Sequence, residues 1–189
     1  IAPISSIEYA RNADRLRILP RLCVSSEGAV DSIQLVSQVP LEHVDSVAVT
    51  PESATSVVLT RILLPGAVIV PLGKKADAKL LIGDAALRSA FEDPTPHHDL
   101  GRLWLERTGL PMVFAVWACT DPPPAGVLEL EEALVSSVRL ARAKPELVRA
   151  LVSVEGDCVP MSDDDVGKVF NRVPLLSVPT MRRPPATAP

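Results

Sequence analysis

The sequence has few aromatic residues, few cysteines, no clustered cations and no long apolar run, and each absence excludes a class of protein. Only 3 % of its 189 residues are aromatic, so a core has to be built from Leu, Val, Ala and Ile. No apolar run approaches the roughly 20 residues of a membrane-spanning helix, and no Lys/Arg cluster suits a nucleic-acid backbone. The 3 cysteines are widely spaced, which favours buried thiols in a reducing cytosol over a disulfide framework or a zinc site. We therefore expect a cytoplasmic protein without membrane or nucleic-acid partners.

Proline and the hydrophobic residues are abundant and together indicate a fold of many short elements. The hydrophobic fraction of 47 % excludes wholesale disorder, and the 19 prolines argue against long uninterrupted helices. Short strands at 32–37, 46–50, 67–71 and 79–83 alternate with helices, which predicts an α/β fold with a parallel sheet. The further predicted elements are strand pieces at 16–20 and 22–25, a helix at 99–108, a buried strand at 111–118, a helix at 128–143, helices beginning at Pro145 and Ser162, and a disordered tail at 180–189.

Hydroxyl side chains are concentrated at two predicted helix starts. Ser5 and Ser6 begin the first helix, and Ser53, Thr55 and Ser56 begin the second. Free N–H groups and hydroxyls at a helix N-terminus bind a carboxylate or phosphate without a lysine. The same residue types also cap their own helices. From spacing alone both interpretations stay open, with capping the commoner.

Three further positions are candidates for chemistry, each with a structural alternative. Ser32 follows a turn at Gly28 and is either a ligand-facing hydroxyl or a strand-edge serine. Asp84 follows Gly83 and either orients a ligand or caps a helix. His97 and His98 lie in an apparent loop, and because adjacent side chains point apart they make a poor metal site. We predict no metal site.

Five segments form a series in the order and spacing of a known family. They are APISSIEY at 2–9, G-x-V-x-S at 28–32, PESATS at 51–56, LIGDAAL at 81–87 and TGLPMVFAVWA at 108–118. Together they resemble the chorismate dehydratase family of menaquinone biosynthesis through futalosine. The resemblance implies a two-lobed α/β fold of the type II periplasmic-binding-protein kind, with a ligand cleft between the lobes. Residues 1–29 and 121–189 would form one lobe, and 32–118 the other.

The resemblance also implies a reaction and roles for residues. Chorismate would lose water to give 3-[(1-carboxyvinyl)oxy]benzoate, without a metal or redox cofactor. Ser32 matches the family's catalytic serine, and Thr55 and Ser56 match its carboxylate-binding hydroxyl pair. Weaker matches for lining the cleft are Ser53, Ser5, Ser6 and Asp84.

Two alternative functions and one omission accompany this interpretation. A binding protein of the same fold, or a 1,4-dihydroxy-6-naphthoate synthase using a histidine base, would share the fold. A homodimer is compatible with the sequence, which fixes no oligomeric state. The family carries a strand and loop with a second catalytic residue, an asparagine, before the APISSIEY segment. We expect the lobe containing residues 1–29 to be incomplete here, with that residue outside this chain.

Overall fold

The computed structural model describes residues 1–51 and 53–146. The strands in this part of the chain form two sheets. The strands are β1 (Ala2–Ser5), β2 (Leu16–Ser26), β3 (Ile33–Ser37), β4 (Ser46–Val49), β5 (Val68–Pro71), β6 (Ala78–Ile82), β7 (His97–Asp99) and β8 (Met112–Thr120). The helices are α1 (Ser6–Arg11), α2 (Ala54–Leu63), α3 (Asp84–Glu92), α4 (Leu100–Thr108) and α5 (Val127–Ala143), with a 3₁₀ turn at Leu41–His43. The predicted α/β class is confirmed.

The five-stranded sheet is mixed, so the prediction of a parallel sheet is only half right. Its order is β5-β4-β6-β3-β7, with β4 parallel to both β5 and β6. By contrast, β3 is antiparallel to β6 and β7. A parallel crossover needs about a dozen residues or more, and the link from β3 to β4 contains only a 3₁₀ turn. The chain therefore reverses direction there.

The second sheet has three strands in the order β1-β8-β2, all antiparallel. The two strand pieces predicted at 16–20 and 22–25 are one strand, β2, in which the pairing to β8 shifts register between Ile18 and Cys23, on either side of Pro20. An irregularity at this point accommodates a proline, which has no N–H to donate to the ladder. The short strand β1 was not predicted from the sequence.

Aliphatic side chains from the five-stranded sheet and two helices form most of the core, as the scarcity of aromatics requires, and Phe114 of β8 joins them. Val47 and Leu80 are completely buried in the sheet, and Leu59 of α2 and Leu100 of α4 pack into the same cluster. Each such side chain stabilises the fold by about 1.5–3 kcal/mol. This packing fixes the starts of α2 and α4 relative to the ends of the strands.

Three predictions about individual segments have different outcomes. The segment containing His97 and His98 is a strand rather than a loop, because it pairs with the open edge of β3. Cys23 and Cys119 are buried thiols that form no disulfide, in agreement with the expectation. The helices predicted after Pro145 and at Ser162, the tail at 180–189 and Cys158 lie outside the described residues, apart from residues 145 and 146.

Candidate functional site

The starts of α1 and α2, predicted separately as hydroxyl-rich, lie against each other on β8. The N–H of Ile7 donates to Thr55 Oγ1 at 3.4 Å, and this hydroxyl donates to the carbonyl of Phe114 at 3.1 Å. The Ser6 hydroxyl donates to the carbonyl of Val113 at 2.6 Å. Two consecutive carbonyls of β8 therefore fix both helix starts, which brings distant parts of the sequence together.

Each remaining hydroxyl of the two helix starts has a local role. Ser5 Oγ accepts the N–H of Glu8 at 3.3 Å and caps α1. Ser53 Oγ accepts the N–H of Ser56 at 3.2 Å, caps α2, and lies 2.8 Å from the completely buried Ser56 Oγ. The capping interpretation is thus realised at Ser5 and Ser53. The first N–H groups of α2, at Ala54 and Thr55, have no acceptor within the helix itself.

Ser32 and Asp84 are neighbours at one end of the β3–β6 pair. Ile33 is paired with Ile82, and the N–H of Gly83 donates to the carbonyl of Ser32 at 2.8 Å. Gly83 has a φ of 62°, which a glycine adopts without steric cost as the chain turns into α3. Asp84 is then exposed in the first turn of α3, and Ser32 is half-buried.

Sheet topology places Ser32, Asp84 and the start of α2 along the same edge. That edge is formed by the carboxyl ends of the parallel strands β4 and β6 and by the beginning of the antiparallel β3. Neighbouring strands are about 4.8 Å apart, so β3 and β4 flank a span of about 10 Å across β6. The carboxyl edge of parallel strands is where open α/β sheets bind small ligands.

A cavity of about 360 Å³ lies beside the edge strand β7, and none of the seven predicted site residues lines it. Its walls include Asp31, Gln34, His98, Arg102 and Glu106. The cavity reaches the turn that precedes Ser32 but not the start of α2. Its volume is in the usual range for a small ligand, whereas its position does not coincide with the predicted site.

His97 is not free to act as a base in this arrangement. Its Nδ1 lies 2.5 Å from the carbonyl of Thr95, which can only accept, so Nδ1 carries the proton. Its Nε2 then accepts the Ser89 hydroxyl at 2.9 Å. Within the described residues, no group of three or more His, Cys, Asp and Glu side chains is placed to hold a metal ion. No helix in the same part of the chain is long and apolar enough to cross a membrane.

Sequence reasoning missed a polar cluster around Asp99, which lies beside the turn before Ser32. Asp99 was expected only at the start of a helix, and its carboxylate does accept the N–H of Arg102 at 3.0 Å. It also accepts the N–H of Asp31 at 2.7 Å and the side-chain amide of Gln34 at 3.0 Å. The helix-start pattern was the only signal in the sequence, because the other partners depend on the pairing of β3 with β7.

The chain is similar to known proteins in both sequence and fold. A family model described as menaquinone biosynthesis matches residues 1–157. A chorismate dehydratase of Thermus thermophilus is 38 % identical over 167 residues, covering 74 % of this chain and 59 % of that protein. A chorismate dehydratase of Campylobacter jejuni is 37 % identical over 120 residues, covering 64 % of this chain and 45 % of that protein. This chain thus spans about half the length of these curated relatives.

The fold is also shared with a solved structure. The protein AF1704 of Archaeoglobus fulgidus matches with a TM-score of 0.59 and 22 % identity, over 82 % of this chain and 64 % of that chain. This likeness shows a shared α/β fold.

Proposed function

Because this chain belongs to the menaquinone biosynthesis family, whose model matches residues 1–157, we propose that it acts as a chorismate dehydratase. The enzyme is a hydro-lyase that converts chorismate to 3-[(1-carboxyvinyl)oxy]benzoate and water. The observation that supports this proposal is that Ser32, Asp84 and the start of α2 lie along one edge of the five-stranded sheet, at the carboxyl ends of β4 and β6. Two relatives named as chorismate dehydratases, at 38 % and 37 % identity, support it.

The protein has mainly to bind and orient the substrate for this reaction. C3 gives up its hydrogen as a proton, and the electron pair of that C3–H bond forms the new ring double bond. The C4–O bond breaks as the hydroxyl takes up a proton and leaves as water, so one proton is released and one is consumed. The ring carboxylate activates C3–H through the conjugated double bond, and aromatisation drives the step. Fixed geometry and hydrogen-bond donors aimed at the developing charge supply most of the catalysis in such a site.

Ser32 is the residue to which we assign the chemical step. Its backbone is anchored by the bond from Gly83, while its side chain is half-buried at the edge of the sheet. A hydroxyl there donates to, or relays a proton to, the leaving C4 oxygen. Asp84 follows Gly83 directly, and we assign it to the wall of the same cleft.

Substrate carboxylates are assigned to the start of α2. The N–H groups at the beginning of this helix and its positive dipole end favour an anion. Ser53, Thr55 and Ser56 hold this turn in shape through the bonds described above, and Ser5 and Ser6 hold the adjoining start of α1. We assign these hydroxyls the role of shaping the carboxylate subsite. The small molecule that binds there is proposed to be chorismate, in the cytoplasm.

The ligand cleft is proposed to lie between two lobes, formed by residues 1–29 with 121–189 and by residues 32–118. The five-stranded sheet is built wholly from β3 to β7, between residues 33 and 99, which supports a separate second lobe. The strand β8 pairs with β1 and β2 and carries the chain back to the first.

Replacement of Ser32 tests the assignment. We expect Ser32→Ala in the purified full-length protein to lower kcat for chorismate by about 100-fold or more, with an unchanged unfolding transition. Formation of the aromatic product is followed by its ultraviolet absorbance. The matched control is Ser46→Ala, at the opposite end of the same sheet, which should leave kcat unaltered. Equal turnover by parent and Ser32→Ala removes Ser32 from the mechanism.

The same assay separates the two alternatives. A protein that binds chorismate without forming product is a carboxylate-binding module of this fold. A protein that converts dehypoxanthine futalosine instead is a 1,4-dihydroxy-6-naphthoate synthase. Both ring nitrogens of His97 are hydrogen-bonded within the protein, which argues against His97 as the histidine base that this synthase needs.

A further inference from the structure

The buried carboxylate of Asp99 accepts more hydrogen bonds than a helix cap requires. Asp99 is only 8 % exposed. One bond, from the N–H of Arg102, caps α4. The others come from the N–H of Val30 at 3.0 Å, the N–H of Asp31 at 2.7 Å and the Gln34 side chain at 3.0 Å. Most of its hydrogen-bonding capacity is therefore used to hold the turn that leads into β3.

That turn has a backbone conformation that an isolated chain avoids. Asp31 has a φ of 60° and is the non-glycine residue with positive φ within the described residues. The N–H of Ser32 reaches back to the carbonyl of Val30 at 2.7 Å. A three-residue turn of this kind around a positive φ is rare and strained, and it persists only where its surroundings hold it.

The surroundings hold Asp31 from both sides. Asp99 accepts its N–H, and the Gln34 side chain donates to its carbonyl at 2.9 Å. Helix α4 approaches so closely that a Cβ at Gly101 would lie 2.3 Å from the carbonyl oxygen of Gly28. Asp99, Gln34 and Gly101, which we call the turn clamp, therefore fix the residues immediately before Ser32.

We propose that Asp99 is a positioning residue for the reaction, because it holds the Asp31 turn and thereby sets the orientation of the Ser32 hydroxyl. This inference rests on the proposed function. Ser32 is anchored to β6 through its carbonyl only, so loss of the turn clamp lets its N-terminal side relax. A misplacement of about 1 Å at a reacting group lowers turnover by about 100-fold.

The test uses Asp99→Asn, which separates the two roles of the carboxylate. Asparagine is as good a helix cap as aspartate, but its NH₂ group presents a donor where Asp31 and Gln34 already donate. We expect kcat to fall by about 10-fold or more, with KM for chorismate little changed because the start of α2 is untouched. Gln34→Ala should also lower kcat, because it removes the side chain that donates to the carbonyl of Asp31.

The matched control is Asp77→Asn. Asp77 is also a carboxylate clamp, accepting the Ser46 hydroxyl at 2.7 Å and the N–H of Asp45 at 3.2 Å, but at the opposite end of the sheet. We expect its kcat to equal that of the parent. If the parent is active and Asp99→Asn has the same kcat, Asp99 is not a positioning residue. The proposed function is unaffected by that result.

Amide hydrogen exchange gives a readout that does not depend on activity. Asp99→Asn should speed exchange in 28–34 and leave 78–82 as in the parent, whereas Asp77→Asn should not speed exchange in 28–34. Unchanged exchange in 28–34 overturns the clamp itself. A parent that forms no product from chorismate overturns the proposed function, and with it the role of Asp99 in turnover.

Discussion

Thr55 shows how a single hydroxyl joins three separate elements. It accepts from Ile7 at the start of α1, belongs to α2, and donates to Phe114 of β8, while being only 4 % exposed. We expect Thr55→Val, which keeps the shape, to lower the free energy of unfolding by about 1–3 kcal/mol, because it leaves a buried donor and a buried acceptor unpaired.

The control for this prediction is Thr55→Ser, which keeps the hydroxyl and removes one methyl group. Its cost should be nearer about 1 kcal/mol. Urea unfolding of both variants and the parent measures the difference. A valine variant as stable as the serine variant shows that these hydrogen bonds contribute nothing net.

At the residue scale, the sequence predicts local contacts and misses distant ones. Ser5 and Ser53 cap their helices, as their positions beside a helix start allow one to expect. The bond from Ser6 to Val113 spans 107 positions and that from Gln34 to Asp99 spans 65. Such partners depend on which strands become neighbours, and no local pattern encodes this.

At the element scale, intrinsic propensity explains both the correct predictions and the failures. The β-branched segment of β4 and the helix ending at Gly109 in α4 were predicted because their residues favour those structures. The segment His97–Asp99 has little strand propensity, yet it forms β7 because β3 presents an open edge. Tertiary pairing overrides weak local preference there.

The attachment of α5 to β2 predicts a pH dependence of stability. Glu132 of α5 forms an ion pair with Arg21 of β2. The hydrogen bond and charge of Arg21 lower the pKa of Glu132. A carboxylate with a lowered folded pKa stabilises the fold above its unfolded pKa, and this contribution is lost as the pH falls through the folded pKa.

We therefore expect Glu132→Gln to be less stable than the parent at pH 7 and equally stable once the pH is below the folded pKa. Because the pair is exposed, the difference should be small and should shrink with added salt. Thermal unfolding from pH 7 downwards measures it, with Glu92→Gln at the exposed end of α3 as the control. A difference between parent and Glu132→Gln that grows on acidification contradicts this account.

At the scale of the whole molecule, strand direction explains how the candidate site assembles. Since β4 and β6 run in parallel, the segments that follow them, at Ser53 and Asp84, emerge at one edge. Since β3 runs the opposite way, the residue before it, Ser32, meets them there. The alternating pattern predicts the first relationship, but the reversal of β3 follows only from the short link to β4.

If that edge binds chorismate, ligand binding raises the free energy of unfolding of the whole molecule. A ligand at about 100 times its Kd stabilises the native state by about 2.7 kcal/mol, and this raises Tm by about 5–10 °C for a protein of this size. We expect chorismate to raise Tm in this way in the full-length parent and in Ser32→Ala alike, because the start of α2 rather than Ser32 binds the carboxylates. Benzoate, which has one carboxylate, should give a smaller shift at equal concentration. Equal shifts with both compounds, or none with chorismate, would mean that the start of α2 is not a site for a dicarboxylate.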